Sequence, residues 1–170
     1  MKKSKDKKIR NHWIFGTIKQ LFGFAAIVLF IVVINTQIIQ IAFVPTASMD
    51  PTISAGSFIL GLRHPKSIER YDIVTFYSGD YILVKRVIGL PGETIEIQDG
   101  EVYADGKMLR DDFIKEPMAA EDGVWTVPED SYFVMGDNRN HSSDSRYPSI
   151  GTVDKSSIIA RIWKFNLKDK

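Results

Sequence analysis

The stretch Phe43-Val44-Pro45-Thr46-Ala47-Ser48-Met49-Asp50-Pro51 divides the chain into two unlike parts. Before it runs an apolar segment long enough to cross a bilayer. After it come short β-branched and aromatic segments with polar residues between them. Prolines at 45 and 51 restrict the backbone on both sides of Ser48 and hold its neighbourhood extended or turned, not helical. A serine presented in this way is either an ordinary turn residue or an exposed nucleophile, and the groups the fold brings to it decide which.

Working back from Phe43, residues 21–34 are fourteen uninterrupted apolar or glycine residues, and after Asn35-Thr36-Gln37 the apolar character resumes through Val44. As one helix, residues 21–44 would extend ~36 Å, enough for a ~30 Å hydrocarbon core with tilt to spare. The formal net charge is only +1, yet residues 1–44 hold seven cations and one acid. Such a head could contact nucleic acid, but directly before an apolar run it reads as the cytoplasmic flank of a membrane helix. A cleaved secretory signal has the same basic start. Against it, the run is long and no small-x-small site directly follows Ile34. The expected division is a basic cytoplasmic segment (1–17), a single transmembrane anchor (18–43) and an extracytoplasmic β-rich domain (44–170).

Working forward, residues 58–62, 73–77, 81–88, 94–98, 132–135 and 158–165 read as strands. Asp99-Gly100 and Asp105-Gly106 supply tight hairpin turns around 101–104 and 107–109, 111–123 reads as an exposed excursion, and 154–157 as a short helical turn. Many short strands with almost no amphipathic helix imply a barrel or folded-over sheet around one core.

The 170 residues include no cysteine, which removes thiol nucleophiles, disulfides and cysteine-based zinc sites. The loop from Asp137 lacks the calcium pattern, with Ser142 at its sixth position where glycine is wanted and Pro148 at its twelfth where glutamate is wanted. Neither metal nor cofactor is expected. A hydrolytic serine needs a base. Ser48, His141 and Asp144 could be assembled into a triad on paper. Lys85 is the other candidate, set in the apolar strand Tyr81-Ile-Leu-Val-Lys-Arg-Val-Ile-Gly89, where apolar burial can depress an ammonium pKa by as much as 3–5 units. Alternation sends Lys85 and Arg86 to opposite faces, so one of them must look toward whatever the strand buries. Pattern alone does not say which. The cluster Gly136-Asp-Asn-Arg-Asn-His-Ser-Ser-Asp-Ser-Arg146 is either a solvated loop of Asx-turns or a network that fixes a catalytic group.

With Pro-Thr-Ala-Ser-Met-Asp-Pro-Thr (45–52), Val-Lys-Arg-Val-Ile-Gly-Leu-Pro-Gly-Glu (84–93) and the 136–146 cluster in order behind one apolar segment, the chain resembles bacterial type I signal peptidases, in particular their compact Gram-positive branch. The resemblance implies a mostly β, signal-peptidase/LexA-like, β-barrel-like catalytic core behind one N-terminal transmembrane helix. It implies a membrane-bound serine endopeptidase that removes signal peptides from exported precursors. Carried over by position, Ser48 is the nucleophile and Lys85 the base. Thr46 and the Ser48 amide form the oxyanion hole, Ser142 orients Lys85, and Asp137, Asp144 and Arg146 support the site. Val44, Met49, Ile53, Leu83 and Val84 are the expected lining of shallow substrate pockets. The implied partners are precursor proteins and the lipid bilayer, with no nucleic acid and no metal. A self-cleaving repressor of the LexA type would need a helix-turn-helix segment, and a membrane segment stands at the N-terminus instead.

Overall fold

The computed structural model describes the backbone of residues 2–119 and 121–165, with side chains for 18–34, 36–119 and 121–163. The side chains of the basic head and of His12 lie outside the described residues, as does Ala120 in the expected excursion. Two compact units form, Met1–Ile38 and Ile39–Lys170.

The first unit is the helix α1 (Lys2–Val33) followed by a π-helical turn, Ile34–Ile38. Within it Ile18–Ile38, 21 residues of mean hydropathy 2.3, is long and apolar enough to cross a membrane, reaching about 32 Å at the α-helical rise. Leu21, Phe22, Phe24, Ile27 and Leu29 are all exposed, so the apolar surface is not confined to one stripe. The polar break loosens the helix end, where the Thr36 hydroxyl donates back to the Val32 carbonyl at 2.8 Å.

Here the structure departs from one expectation. The apolar run does not stay helical to Val44: residues Ile39–Val44 form strand β1, antiparallel to β2 (Ser57–Arg63). Gln40 and Val44 are buried while Ile41 and Phe43 are exposed. Because both faces of this strand are largely apolar, hydropathy alone cannot tell it from a helix. The buried Gln40 is satisfied by Thr75, whose hydroxyl donates to its side-chain carbonyl at 2.5 Å.

The second unit is β throughout, with β3 (Ile73–Ser78), β4 (Tyr81–Gly89), β5 (Thr94–Gln98), β6 (Glu101–Ala104), β7 (Lys107–Met108), β8 (Gly123–Thr126), β9 (Ser131–Met135), β10 (Val153–Asp154) and β11 (Ile158–Phe165). One sheet runs β1-β2-β11-β3-β4-β9-β10 and a smaller one β7-β6-β5-β8, every pairing antiparallel. This is the mostly β core expected. Both hairpin turns have positive φ at their two central residues, Asp99 (51°) with Gly100 (83°) and Asp105 (48°) with Gly106 (73°), the geometry that matches strand twist. The expected helical turn is the 3-10 turn Lys155–Ser157. Strands β8 and β10 were not anticipated. β8 is a four-residue edge strand that closes on β5 with its Trp125 packed on Phe133, ring centroids 5.4 Å apart.

Ile88, Ile95, Ile97, Phe133 and Met135 fill the space around the small sheet, and Val74, Phe76, Val87 and Val134 form a second cluster. A third cluster joins Val44, Met49, Ile53, Ile59, Ile73 and Ile162, and it anchors the loop that carries Ser48.

Candidate functional site

Three segments meet at the site: the loop after β1, strand β4, and the loop 136–146 after β9. Met49 and Ile53 have no exposed surface, so the loop between β1 and β2 is pinned on either side of Asp50-Pro51. Ser48, 9% exposed, is held at the edge of that anchored core.

β4 delivers both of its cations to buried positions. Lys85 is 3% exposed and its Nζ donates to Ser48 Oγ at 2.8 Å. Desolvation pushes its pKa from 10.5 down to about 8; the charges of Asp144 and Asp137 oppose that fall, and Arg146 adds to it. A neutral amine at this position accepts from the serine hydroxyl across the same contact. Arg86, on the other face, grips Asp137 with two charge-assisted bonds, Nε to Oδ1 at 2.8 Å and Nη2 to Oδ2 at 2.6 Å. It also donates to Thr52 Oγ1 at 3.1 Å and to the Tyr71 carbonyl at 2.9 Å, and lies over the Phe113 ring. The choice between an inward lysine and an inward arginine is therefore answered by burial of both.

Arg86 ties the Ser48 loop, β4 and the loop 136–146 together, and removing it would leave the fully buried Asp137 without its counter-charge. Arg86→Ala is expected to cost about 3–5 kcal/mol of stability, and Arg86→Met with Asp137→Leu much less. Urea midpoints of the two variants check this; equal losses would contradict it.

The loop 136–146 is built around Asp144, which is wholly buried. Its Oδ2 accepts from the Gly136 amide at 3.0 Å and from Arg146 Nη2 at 2.9 Å, and its Oδ1 accepts from Arg146 Nε at 2.8 Å. Gly136 is required by close approach: a side chain there would collide with Ser142 Oγ and the Ser48 carbonyl. The next contact is one the sequence did not single out. The Asn138 amide donates to the Ser48 carbonyl at 3.1 Å, and its side-chain Nδ2 to the Ala47 carbonyl at 3.0 Å. Asn138 thus clamps the backbone that presents Ser48. Within so polar a cluster it looked like any Asx-turn residue, and no spacing distinguishes it.

Thr46 is exposed, with Oγ1 3.5 Å from Ser48 Oγ. The Ser48 amide donates to no acceptor among the described residues, so that expected oxyanion donor is free to receive one. Ser142 does not meet its expectation. Lys85 reaches Ser48, while Ser142 Oγ is buried beside Gly136 without a hydrogen-bond partner among the described residues. The histidine triad is not assembled: His141 is exposed, and the Asp144 oxygens are taken by Gly136 and Arg146. Of the expected pocket residues, Val44, Met49 and Ile53 belong to the third core cluster, with Val84 packed against it. Leu83 packs against the second cluster and stays half-buried.

β4 pairs β3 along residues 81–86, but its ladder with β9 begins only at Arg86 opposite Met135. From Tyr81 to Lys85 its other edge carries no strand partner among the described residues.

The family described as signal peptidase, peptidase S26 matches residues 16–165. A probable signal peptidase I-2 of Synechocystis is 37% identical over 142 residues, 75% of this chain and 63% of the relative, so the match spans less than two thirds of that protein. Signal peptidase I V of Bacillus subtilis is 36% identical over 160 residues, 84% of this chain and 94% of the relative. Among solved structures, the crystal structure of a signal peptidase I from Enterococcus faecalis superposes with a TM-score of 0.51 at 36% identity. That superposition covers 56% of this chain and 97% of the other.

Proposed function

From the premise that this chain belongs to the signal peptidase family, peptidase S26, we propose that it is a membrane-anchored serine endopeptidase that removes signal peptides from exported precursors through a Ser48–Lys85 dyad. The observation that carries the proposal is the 2.8 Å contact of Lys85 Nζ with Ser48 Oγ in a site where the lysine is almost wholly desolvated.

The geometry supports the following reaction. Neutral Lys85 takes the Ser48 proton as Oγ attacks the scissile carbonyl, then passes it to the leaving amine. It next takes a proton from the water that hydrolyses the ester, and Ser48 recovers its hydrogen on collapse. Thr46 Oγ1 and the Ser48 amide stabilise the oxyanion, and Asn138 holds the loop that supplies that amide. Asp137, Asp144 and Arg146 support the site through the loop 136–146. An extended substrate adds to the free edge of β4 beside Lys85, where Leu83 borders the pocket for its small side chain. Leu83→Ala should accept larger residues before the cleaved bond; an unchanged ranking on a peptide panel would remove Leu83 from that pocket.

The anchor is the span Ile18–Ile38, with the basic head on the cytoplasmic side and the β unit outside. The β1–β2 face of that unit exposes Ile41, Phe43, Phe58 and Leu62, an apolar patch suited to seating on lipid.

Only the neutral amine is a base, so activity must rise as the ammonium loses its proton. Cleavage should be slow well below the Lys85 pKa of about 8, climb tenfold per pH unit on that side, and level off above it. A rate flat from mildly acidic to alkaline pH would remove Lys85 as the base.

A further inference from the structure

A cavity of about 560 Å³ is lined by Arg139, Arg146, Trp125, Tyr147, Glu121 and Asp122 among others, and neither Ser48 nor Lys85 borders it. Its unusual member is Arg139. This side chain is 3% exposed, and its Nε donates to the Gly136 carbonyl at 3.2 Å. Its two Nη groups have no hydrogen-bond or ion-pair partner among the described residues.

The neighbouring charges explain why. Three guanidinium groups, Arg86, Arg139 and Arg146, share this interior with two buried carboxylates, and both carboxylates are committed. Asp137 is held by Arg86 and Asp144 by Arg146. Arg146 is further occupied by the Arg139 carbonyl and by Met118. Phe113 lies 5.8 Å from the Arg139 guanidinium, and Asp137, Asp144 and Asp111 act on it only through space. A buried cation with no carboxylate in contact is costly, and this one lines open volume.

We propose that the cavity is a binding site for a small, singly charged oxyanion, a carboxylate or a phosphate group, received by the two Nη groups of Arg139. The planar fork of a guanidinium matches two oxygens of such a group. Trp125 and Tyr147 supply apolar wall for whatever the anion is attached to. Glu121 and Asp122, exposed residues of the lining, disfavour a second negative charge.

The test uses the full chain in detergent micelles at mildly acidic pH, where inorganic phosphate is mostly the monoanion. Melting temperatures are compared in phosphate, acetate and chloride at equal ionic strength. The wild type should show a saturating rise with phosphate or acetate that chloride does not give. In Arg139→Gln the apparent affinity should fall by about tenfold or more, whereas Arg110→Gln, at an exposed arginine, should behave as wild type. Saturation by acetate alone would assign a carboxylate ligand, and by phosphate alone a phosphate ligand. Should Arg139→Gln not fold, broadening of the phosphorus-31 line of inorganic phosphate by the wild type, reversed by acetate, reads the same site. The proposal is overturned if neither anion differs from chloride, or if Arg139→Gln responds as wild type does. It is also overturned if a response absent from the wild type emerges in Glu121→Gln, since the chain's own carboxylate would then be the occupant.

Discussion

Replacing Lys85 with alanine should reduce cleavage of a purified signal-peptide-bearing precursor by roughly four orders of magnitude or more, as removal of one member of a nucleophile–base pair does elsewhere. Ser48→Ala should lose as much, and the double variant little more, because the two groups act as a unit. The size of the loss follows from the contacts. Among the described residues, Lys85 is the only hydrogen-bonding partner of Ser48 Oγ besides the more distant Thr46 hydroxyl, and His141 is exposed. Both variants should keep their fold, since shortening Lys85 removes a desolvated cation and strands no buried carboxylate: Asp137 and Asp144 keep their arginines. A Lys85→Ala enzyme cleaving within tenfold of wild type would overturn the dyad.

The second large effect belongs to Thr46. If its hydroxyl stabilises the developing oxyanion beside the Ser48 amide, Thr46→Ala should lower kcat by about 10²–10³-fold with KM almost unchanged, because the bond forms only in the transition state. Thr46→Ser should restore most of the rate, since the hydroxyl and not the methyl is required. Thr46 is exposed, so its loss should leave the melting temperature within a degree or two. Retention of more than half the wild-type rate by Thr46→Ala would end this role.

Much of this arrangement is legible in the sequence. The strand 94–98 alternates at period two between glycine-bearing turns, and such a signal survives folding because side-chain direction in a strand is dictated by the backbone. The Ser48–Lys85 pairing rested on the resemblance of three motifs, since a serine and a lysine 37 residues apart leave no local trace of contact. The boundary at Ile38 was misread because Ile39-Gln-Ile-Ala-Phe-Val44 carries apolar residues on both faces, as a membrane helix does. Ser142 was expected to hydrogen-bond Lys85, and its buried hydroxyl finds no partner among the described residues, a matter of side-chain geometry that no pattern encodes. Asn138 was overlooked for the converse reason: its role lies in two backbone carbonyls of a distant loop.

The central claim is that one amine gives up its proton well below the range of a solvated lysine because the protein has stripped it of water. Its most direct test is the nitrogen-15 chemical shift of Lys85 Nζ, followed through a pH titration of the full chain in micelles and assigned by its loss in Lys85→Ala. The account predicts a midpoint of about 8. A midpoint in the ordinary range of a solvated lysine, near ~10.4, would contradict it.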